Sequence, residues 1–425
     1  MVARARSRFT RGGRLLAVGA AVALTATACG GGGGSTTSES PGGSGAPAAS
    51  GDGQLKLGTL LPNTGALSFF GPPMTAGVDL AVKEINAAGG VNGKDVTTIS
   101  RDSGDTTTNI ATQSTTEMLG QGVSAIIGAA SSGVTKTVIN QITGESTLMM
   151  SPANTSPDFS TWDDKGLYWR TAPSDVMQGR ILGNVMVADG ASSVGMIVLN
   201  DAYGTGLAKN IRSAVEGAGG EIVAESMFNE GDSQFSSQVD EIVAANPDAI
   251  AILSFDQARS IIPLLVQKGV PASKMYFVDG NLTDYSKDFD KGTLEGAQGT
   301  QPGSFAKDDF KARLATVNDK LKDWNYAAES YDAATVIALA ATAAKAADGK
   351  SIAAQLEAVS RDGEKCTDFA SCKKLLDEGK DIDYDGISGP ISFDKNGDIS
   401  EGIMGIYKYD DNNVPQPLRE EAGAV

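Results

Sequence analysis

Ser131 and Ser132 stand where the apolar run "AIIGAA" (Ala125 to Ala130) gives way to the helix-like pattern "SGVTKTVINQI". A strand that turns into a helix through small residues presents free backbone N–H groups beside hydroxyls, which is the chemistry of a seat for a phosphate or a carboxylate. The plainer alternative is a serine that only caps its helix. The chain contains no histidine, which removes Ser-His-Asp and Cys-His hydrolysis, His-ligated zinc and His phosphotransfer together. Other candidates for catalysis fail on spacing. Ser131 lies in A-x-S-x-G with no base, and Ser371 and Lys374 form an isolated S-x-x-K. "GGVNGKD" is one residue short of a P-loop, "YGTGLAKN" lacks a third glycine, and "DKNGDISE" has Gly397 misplaced for a calcium loop. These segments read as turns, and neither a metal nor a cofactor is implied. Cys366 and Cys372, in "CTDFASC", read as a local disulfide if the chain is exported and as two thiols otherwise.

The remaining composition narrows the setting. A length of 425 residues points to two domains. A net charge of −17, or −22 without the five arginines before residue 15, argues against nucleic acid or an anionic membrane surface as partner. The Arg-rich start followed by "LLAVGAAVALTATA" (Leu15 to Ala28) reads as an export signal over residues 1–28, too short for a membrane span. "TATACG" resembles the end of a bacterial lipoprotein signal, which implies cleavage before Cys29 and a lipid on its thiol. Ala26 stands where such signals more often carry Leu, and cleavage without lipidation is the alternative. Residues 29–53, rich in Gly and Ser, have almost nothing to bury and read as a flexible tether.

From Leu55 onward, short β-branched runs alternate with amphipathic stretches of helical length. "LKLGTLLP", "KDVTTISRD", "SAIIGAA" and "TLMMSPA" read as strands with helices between them. The pattern restarts after "YWRTAPSD" with "SVGMIVLN", "EIVAESMF", "AIAILSF" and "KMYFVDG". Such βα runs predict an α/β protein with two doubly wound parallel-sheet lobes. Ligands of such sheets bind beyond the carboxyl ends of the strands, where "GAASS", "SPANT", "LNDAYG" and "VDGN" fall. The last third reads as two long helices, "DDFKARLATVNDKLKDW" and "AAESYDAATVIALAATAAKAA", then the Cys loop and a hairpin in "GPISFDKNGDISEGIMGIYKY". The Ala-rich stripe of the second helix reads as core.

Taken in order, "GPPMTAGVDLAVKEINAAGGVNGK", "IIGAASSGVT", "LMMSPANTSPDF", "YWRTAPSD", "NDAYGTGLA", "YDAATV" and "GPISFDKNGD" resemble the substrate-binding components of branched-chain amino acid ABC transporters, over about Leu55 to Tyr409. The resemblance implies the type I periplasmic binding protein fold, with two lobes joined by three crossover hinge segments near Thr171 to Pro173, Gln301 to Gly303 and Ser388 to Ile391. The first lobe is then 54–172 plus 303–388, and the second is 173–302 plus 389–425. It implies hinge closure on a small ligand, with the amino acid's carboxylate held by Ser132, beside Ser131, and by Thr155 with Asn154 next to it. Phe70, Tyr203 and Phe255 then fall on cleft aromatics; the alternatives are helix caps for Ser132 and Thr155 and core packing for Phe70 and Phe255. Where the family often places a Glu for the ligand's ammonium, the nearest match is Asn281, with Asp279 two residues earlier as a substitute. If Asp279 lies outside the cleft, the ligand is instead an amide, a carboxylic acid or another small polar molecule. The implied partners are an ABC permease and, through Cys29, the outer face of the cytoplasmic membrane, with the chain a monomer and not an enzyme. A ligand-sensing receptor is the competing role.

Overall fold

The computed structural model describes residues 53–425. The export signal, Cys29 and all of the tether except Gly53 lie outside the described residues.

Five strands, β1 (Lys56–Leu61), β2 (Thr97–Asp102), β3 (Ala125–Gly128), β4 (Leu148–Ser151) and β5 (Tyr168–Arg170), form a parallel sheet in the order β2-β1-β3-β4-β5. The helices α1 (Gly71–Ala87), α2 (Ile110–Gly120) and α3 (Ser132–Gly144) connect the first four strands. Every residue of β3 and β4 is buried, as expected of strands covered on both faces. Pro72 and Pro73 open α1, where a missing N–H costs nothing, and Gly89 and Gly90 end it at positive φ.

The alternation resumes with α4 (Asp175–Ala188), β6 (Ser193–Leu199), α5 (Ala202–Gly217), β7 (Glu221–Phe228), α6 (Ser236–Ala244), β8 (Ala249–Leu253), α7 (Ala258–Gln267), β9 (Met275–Phe277) and β10 (Gln298–Pro302). The chain then returns to the first sheet's side through α8 (Asp308–Leu314), α9 (Ala327–Ala344), α10 (Gly349–Leu356), β11 (Glu364–Cys366), α11 (Phe369–Asp377) and β12 (Ile382–Tyr384). It crosses once more to add β13 (Glu401–Tyr409) and β14 (Pro415–Ala424), completing a seven-stranded sheet in the order β14-β13-β10-β9-β8-β6-β7. The expected fold class is the one observed. Helix α9 is buried from Ala327 to Thr342, so its alanine stripe is core, and its start lies so close to α1 that a Cβ on Gly77 would collide with the Ala327 carbonyl.

Three expectations change. The segment "DDFKARLATVNDKLKDW" is helical only over Asp308–Leu314; beyond it Asn318 and Asp323 accept amide N–H groups two residues on, which favours turns over helix. The expected hairpin around "DKNGD" is reduced to one isolated bridge, Phe393 to Ile399. The strand after it pairs antiparallel with β10 and with β14, so the hairpin turns later, at residues 410–414. For the same reason residues 389–399 do not join the second lobe: Ile391, Phe393 and Ile399 belong to the core of the first sheet's inner face. The third passage between lobes therefore lies at Ser400 and Glu401, past the expected Ser388 to Ile391. The Cys366–Cys372 disulfide is formed, joining the end of β11 to α11.

Candidate functional site

Beyond the carboxyl ends of β3 and β4 the chain builds one wall of a chamber. Ser131 has extended backbone angles and its Oγ accepts the Val134 N–H at 3.2 Å, so it caps α3. Ser132, 2% exposed, is the first residue of α3, where backbone N–H groups lack helical partners, and its Oγ accepts the Ser156 N–H at 3.4 Å. Asn154 does not face the chamber. Its Nδ2 donates to the carbonyls of Ala129 (3.0 Å) and Ala130 (2.8 Å), and its Oδ1 accepts the Tyr168 hydroxyl, so it locks the turn in front of α3. Arg170, fully buried, pairs with Asp398 at 2.6 Å and donates to the Ser156 carbonyl at 2.8 Å and the Asn154 carbonyl at 3.3 Å. It thereby fixes the loop that carries Thr155. The buried Thr155 hydroxyl has no well-formed hydrogen bond and lies beside the Asp175 carboxyl.

The second lobe supplies the opposite wall. Tyr203, in the first turn of α5, stacks on Phe255 with centroids 5.4 Å apart. Asp279, 4% exposed, accepts Tyr203 Oη (2.7 Å) and Gln178 Nε2 (2.9 Å) on Oδ1, and Tyr326 Oη (2.6 Å) on Oδ2. Burial pushes its carboxyl above the usual range, and these donors pull it part of the way back. The same burial, next to the Asp279 charge, holds the Tyr203 and Tyr326 phenols far above their ordinary value. Asn281 faces away: its Oδ1 accepts the Val278 N–H and its Nδ2 donates to the Ile252 carbonyl and Ser254 Oγ. Of the two residues weighed for the ammonium position, Asp279 alone lies in the chamber.

The chamber is lined by Ser131, Ser132, Phe70, Tyr203, Phe255 and Asp279, together with Leu67, Ala130, Ala153 and Gly280. Its volume is about 10 Å³, room for roughly one water. Tyr326, unforeseen from sequence, closes it from the first lobe, meeting Phe70 edge-on at 5.1 Å and reaching Asp279 across the cleft. The rim is joined by Thr106, whose N–H and hydroxyl both donate to Glu230. Asp175, also unforeseen, is fully buried beside Thr155 and α5 with neither oxygen hydrogen-bonded; burial and the Asp279 charge push its carboxyl well up. No lysine or arginine lines the chamber. It is therefore acidic on the second lobe's side, while the first lobe offers hydroxyls and the amide end of a helix.

The model of the family described as "Periplasmic binding protein" matches residues 54–404. Among relatives, the Leu/Ile/Val-binding protein homolog 3 of Brucella melitensis is 27% identical over 372 residues, 87% of this chain and 94% of that protein. The chemotactic signal transduction system substrate-binding protein BasB of Halobacterium salinarum is 26% identical over 347 residues, 79% of this chain and 82% of its own. Among solved structures, the branched-chain amino acid transporter substrate-binding protein LivJ of Streptococcus pneumoniae, in complex with isoleucine, superposes with a TM-score of 0.71 at 22% identity, covering 88% of this chain and 100% of that one. A solute-binding protein from R. palustris in complex with benzoate superposes with a TM-score of 0.68 at 18% identity, over 88% and 98% of the two chains.

Proposed function

This chain belongs to the periplasmic binding protein family, with the type I architecture of the leucine/isoleucine/valine-binding proteins, and from that membership we propose that it captures a small apolar α-amino acid for an ABC importer. The observation that carries the ligand class is the opposition across the chamber: Asp279 on one wall, the start of α3 with Ser132 on the other, and no basic side chain between them. A zwitterion fits both ends. Its ammonium meets the Asp279 carboxylate, and its carboxylate meets amide N–H groups, the Ser132 hydroxyl and Thr155, whose oxygen is unpartnered. Phe70, Phe255 and Leu67 then cover an aliphatic side chain. A carboxylic acid without an amine would leave Asp279 buried and unpaired beside it, at a cost.

A water-sized chamber admits such a ligand only after the lobes part, so binding is hinge closure over the three crossing segments. The export signal and Cys29 would then hold the chain outside the cell, tethered by lipid, with a permease as its membrane partner. The likeness to a chemotactic binding protein supports a second reading, in which the same closed form is read by a signalling receptor.

A thermal-shift series tests the ligand class, since a ligand stabilises the state it binds. Leucine, isoleucine, valine and phenylalanine should raise the melting temperature, and 4-methylpentanoate and benzoate should not. Stabilisation by the acids alone would replace this reading with a carboxylate binder. Native mass spectrometry before and after incubation should return the ligand's mass unchanged; a converted product would make the chain an enzyme.

A further inference from the structure

Tyr326 has a second neighbour. On its other side, between the crossing strand β10, the loop before α9 and the hairpin of β13 and β14, lies a cavity of about 360 Å³, within the range of small-molecule sites. Besides Tyr326, three rings line it: Phe305, Trp324 and Tyr407, the first and last packed edge-to-face at 5.1 Å. Three carboxyl groups also line it, Glu329, Asp323 and Asp284. Glu329 is 3% exposed, lies one turn from Asp332 in α9, and has no ion-pair partner among the described residues; burial pushes its carboxyl up to about 8. Burial also raises Asp323, to about 6, although it accepts the Asn325 N–H at 2.9 Å. Two lysines line the cavity as well, and neither forms an ion pair with these carboxyls: the Lys311 Nζ lies 4.7 Å from the centroid of Trp324 and pairs at 3.7 Å with Asp308, and Lys322, at the cavity's exposed edge, has no ion pair among the described residues. Gln301, 4% exposed, belongs to the same wall, and neither its amide nitrogen nor its oxygen has a hydrogen-bond partner.

A buried carboxyl without an ion-pair partner, such as Glu329, and an amide with unused donors and acceptor, such as Gln301, are costly to keep in a fold. Each is relieved by the same guest. A compact cation with an apolar body supplies N–H donors to Glu329, Asp323 and the Gln301 oxygen, and it lays a hydrophobic surface on rings whose faces favour positive charge. Lys311 over Trp324 shows that one of these rings already accepts an ammonium group.

We propose that this hinge-side cavity is a second ligand site, taking a small alkyl- or arylalkyl-ammonium ion with its charged end at Glu329, Asp323 and Gln301 and its body against Phe305, Trp324 and Tyr407. The site is separate from the cleft and does not depend on what the cleft binds.

Benzylammonium is a suitable probe, titrated into the full chain by calorimetry alongside neutral benzyl alcohol. The expected result is saturable binding with a dissociation constant on the order of 1 mM or tighter. It should weaken by about tenfold or more in Glu329→Gln and for benzyl alcohol, and hold within about twofold in Asp279→Asn, which removes the cleft's own ammonium partner and lies outside this cavity. If Glu329→Gln does not fold, Asp323→Asn and Trp324→Leu carry the same expectation. No saturation, equal affinity for the alcohol, or indifference to all three cavity substitutions would overturn the proposal. Loss of binding in Asp279→Asn would place the probe in the cleft and overturn it as well, without bearing on the cleft's amino acid.

Discussion

Replacing Asp279 by Asn removes one negative charge from the chamber while keeping its shape. With the amide oxygen in the place of Oδ1, the bonds from Gln178 and Tyr203 survive; the new NH₂ in the place of Oδ2 donates to Tyr326, whose hydroxyl turns to accept. The fold should therefore persist. For a bound amino acid the loss is that of one partner in a buried charge pair, about 3–5 kcal/mol. The lower end of that range is the more demanding expectation to test. At about 1.4 kcal/mol per tenfold, 3 kcal/mol is a weakening of roughly 100-fold. An acid without an amine should show the opposite, binding the Asp279→Asn variant as tightly as wild type or more so, because the repelling charge is gone. Calorimetry at pH 7 with leucine and 4-methylpentanoate, on wild type and on Asp279→Asn of confirmed melting temperature, reads both. Leucine affinity within about threefold of wild type would refute the pairing and leave Asp279 as an interlobe strut for Tyr326.

The adjacent serines should separate. Ser132→Ala is expected to weaken amino-acid binding about tenfold, as a lost hydrogen bond to a charged group does, with little change in melting temperature; unchanged affinity by calorimetry removes Ser132 from the site. Ser131→Ala removes the cap on α3 and should cost about 1 kcal/mol of stability in urea denaturation; an unchanged midpoint argues against the cap. Glu329, held at about 8 in the fold against an ordinary 4.5, binds its proton more tightly folded than unfolded, so its contribution is fully present below pH 4.5 and falls away as pH rises to about 8. At about 1.4 kcal/mol per pH unit the loss reaches roughly 5 kcal/mol, and Glu329→Gln should gain on wild type by up to that amount between pH 5 and 8; a gap independent of pH would contradict it. Opening the Cys366–Cys372 loop with serines should cost about 2 kcal/mol for so short a ring, seen as a lower denaturant midpoint; no shift would mean that α11 and β12 hold the segment unaided.

The two sheets were legible because each buried strand is a short β-branched run between glycine or polar turns, so β1, β3, β6 and β8 stand out without any partner being known. The turn at Ser131 and Ser132 was legible for the same reason, since strand, small residues and helix are contiguous. Neighbours in sequence were not resolved into neighbours in space. Thr155 and Asn154 are adjacent, yet the Thr155 hydroxyl lies beside the Asp175 carboxyl and Asn154 is spent on the carbonyls of Ala129 and Ala130. Asp279 and Asn281 sit in a single 3₁₀ turn that sends one to the chamber and the other to the Ile252 carbonyl. Pattern alone carries no such direction. Tyr326 was invisible because it arrives from far along the chain, in a left-handed conformation just ahead of α9, and nothing local marks it. Residues 389–399 were misplaced because a strand-like pattern does not say which sheet it joins; the Arg170–Asp398 pair and the Phe393 contact with Trp169 decide that.

The Arg170–Asp398 pair bolts the loop around Thr155 to the last stretch of chain before the third crossing. If the lobes swing apart as proposed, whatever bends at the third crossing must lie beyond Asp398, so the seat proposed for a carboxylate would ride on one body and be complete before anything docks in it. Ligand that meets an already open cleft should then arrive at a rate set by encounter alone, and closure over it should set the length of its stay.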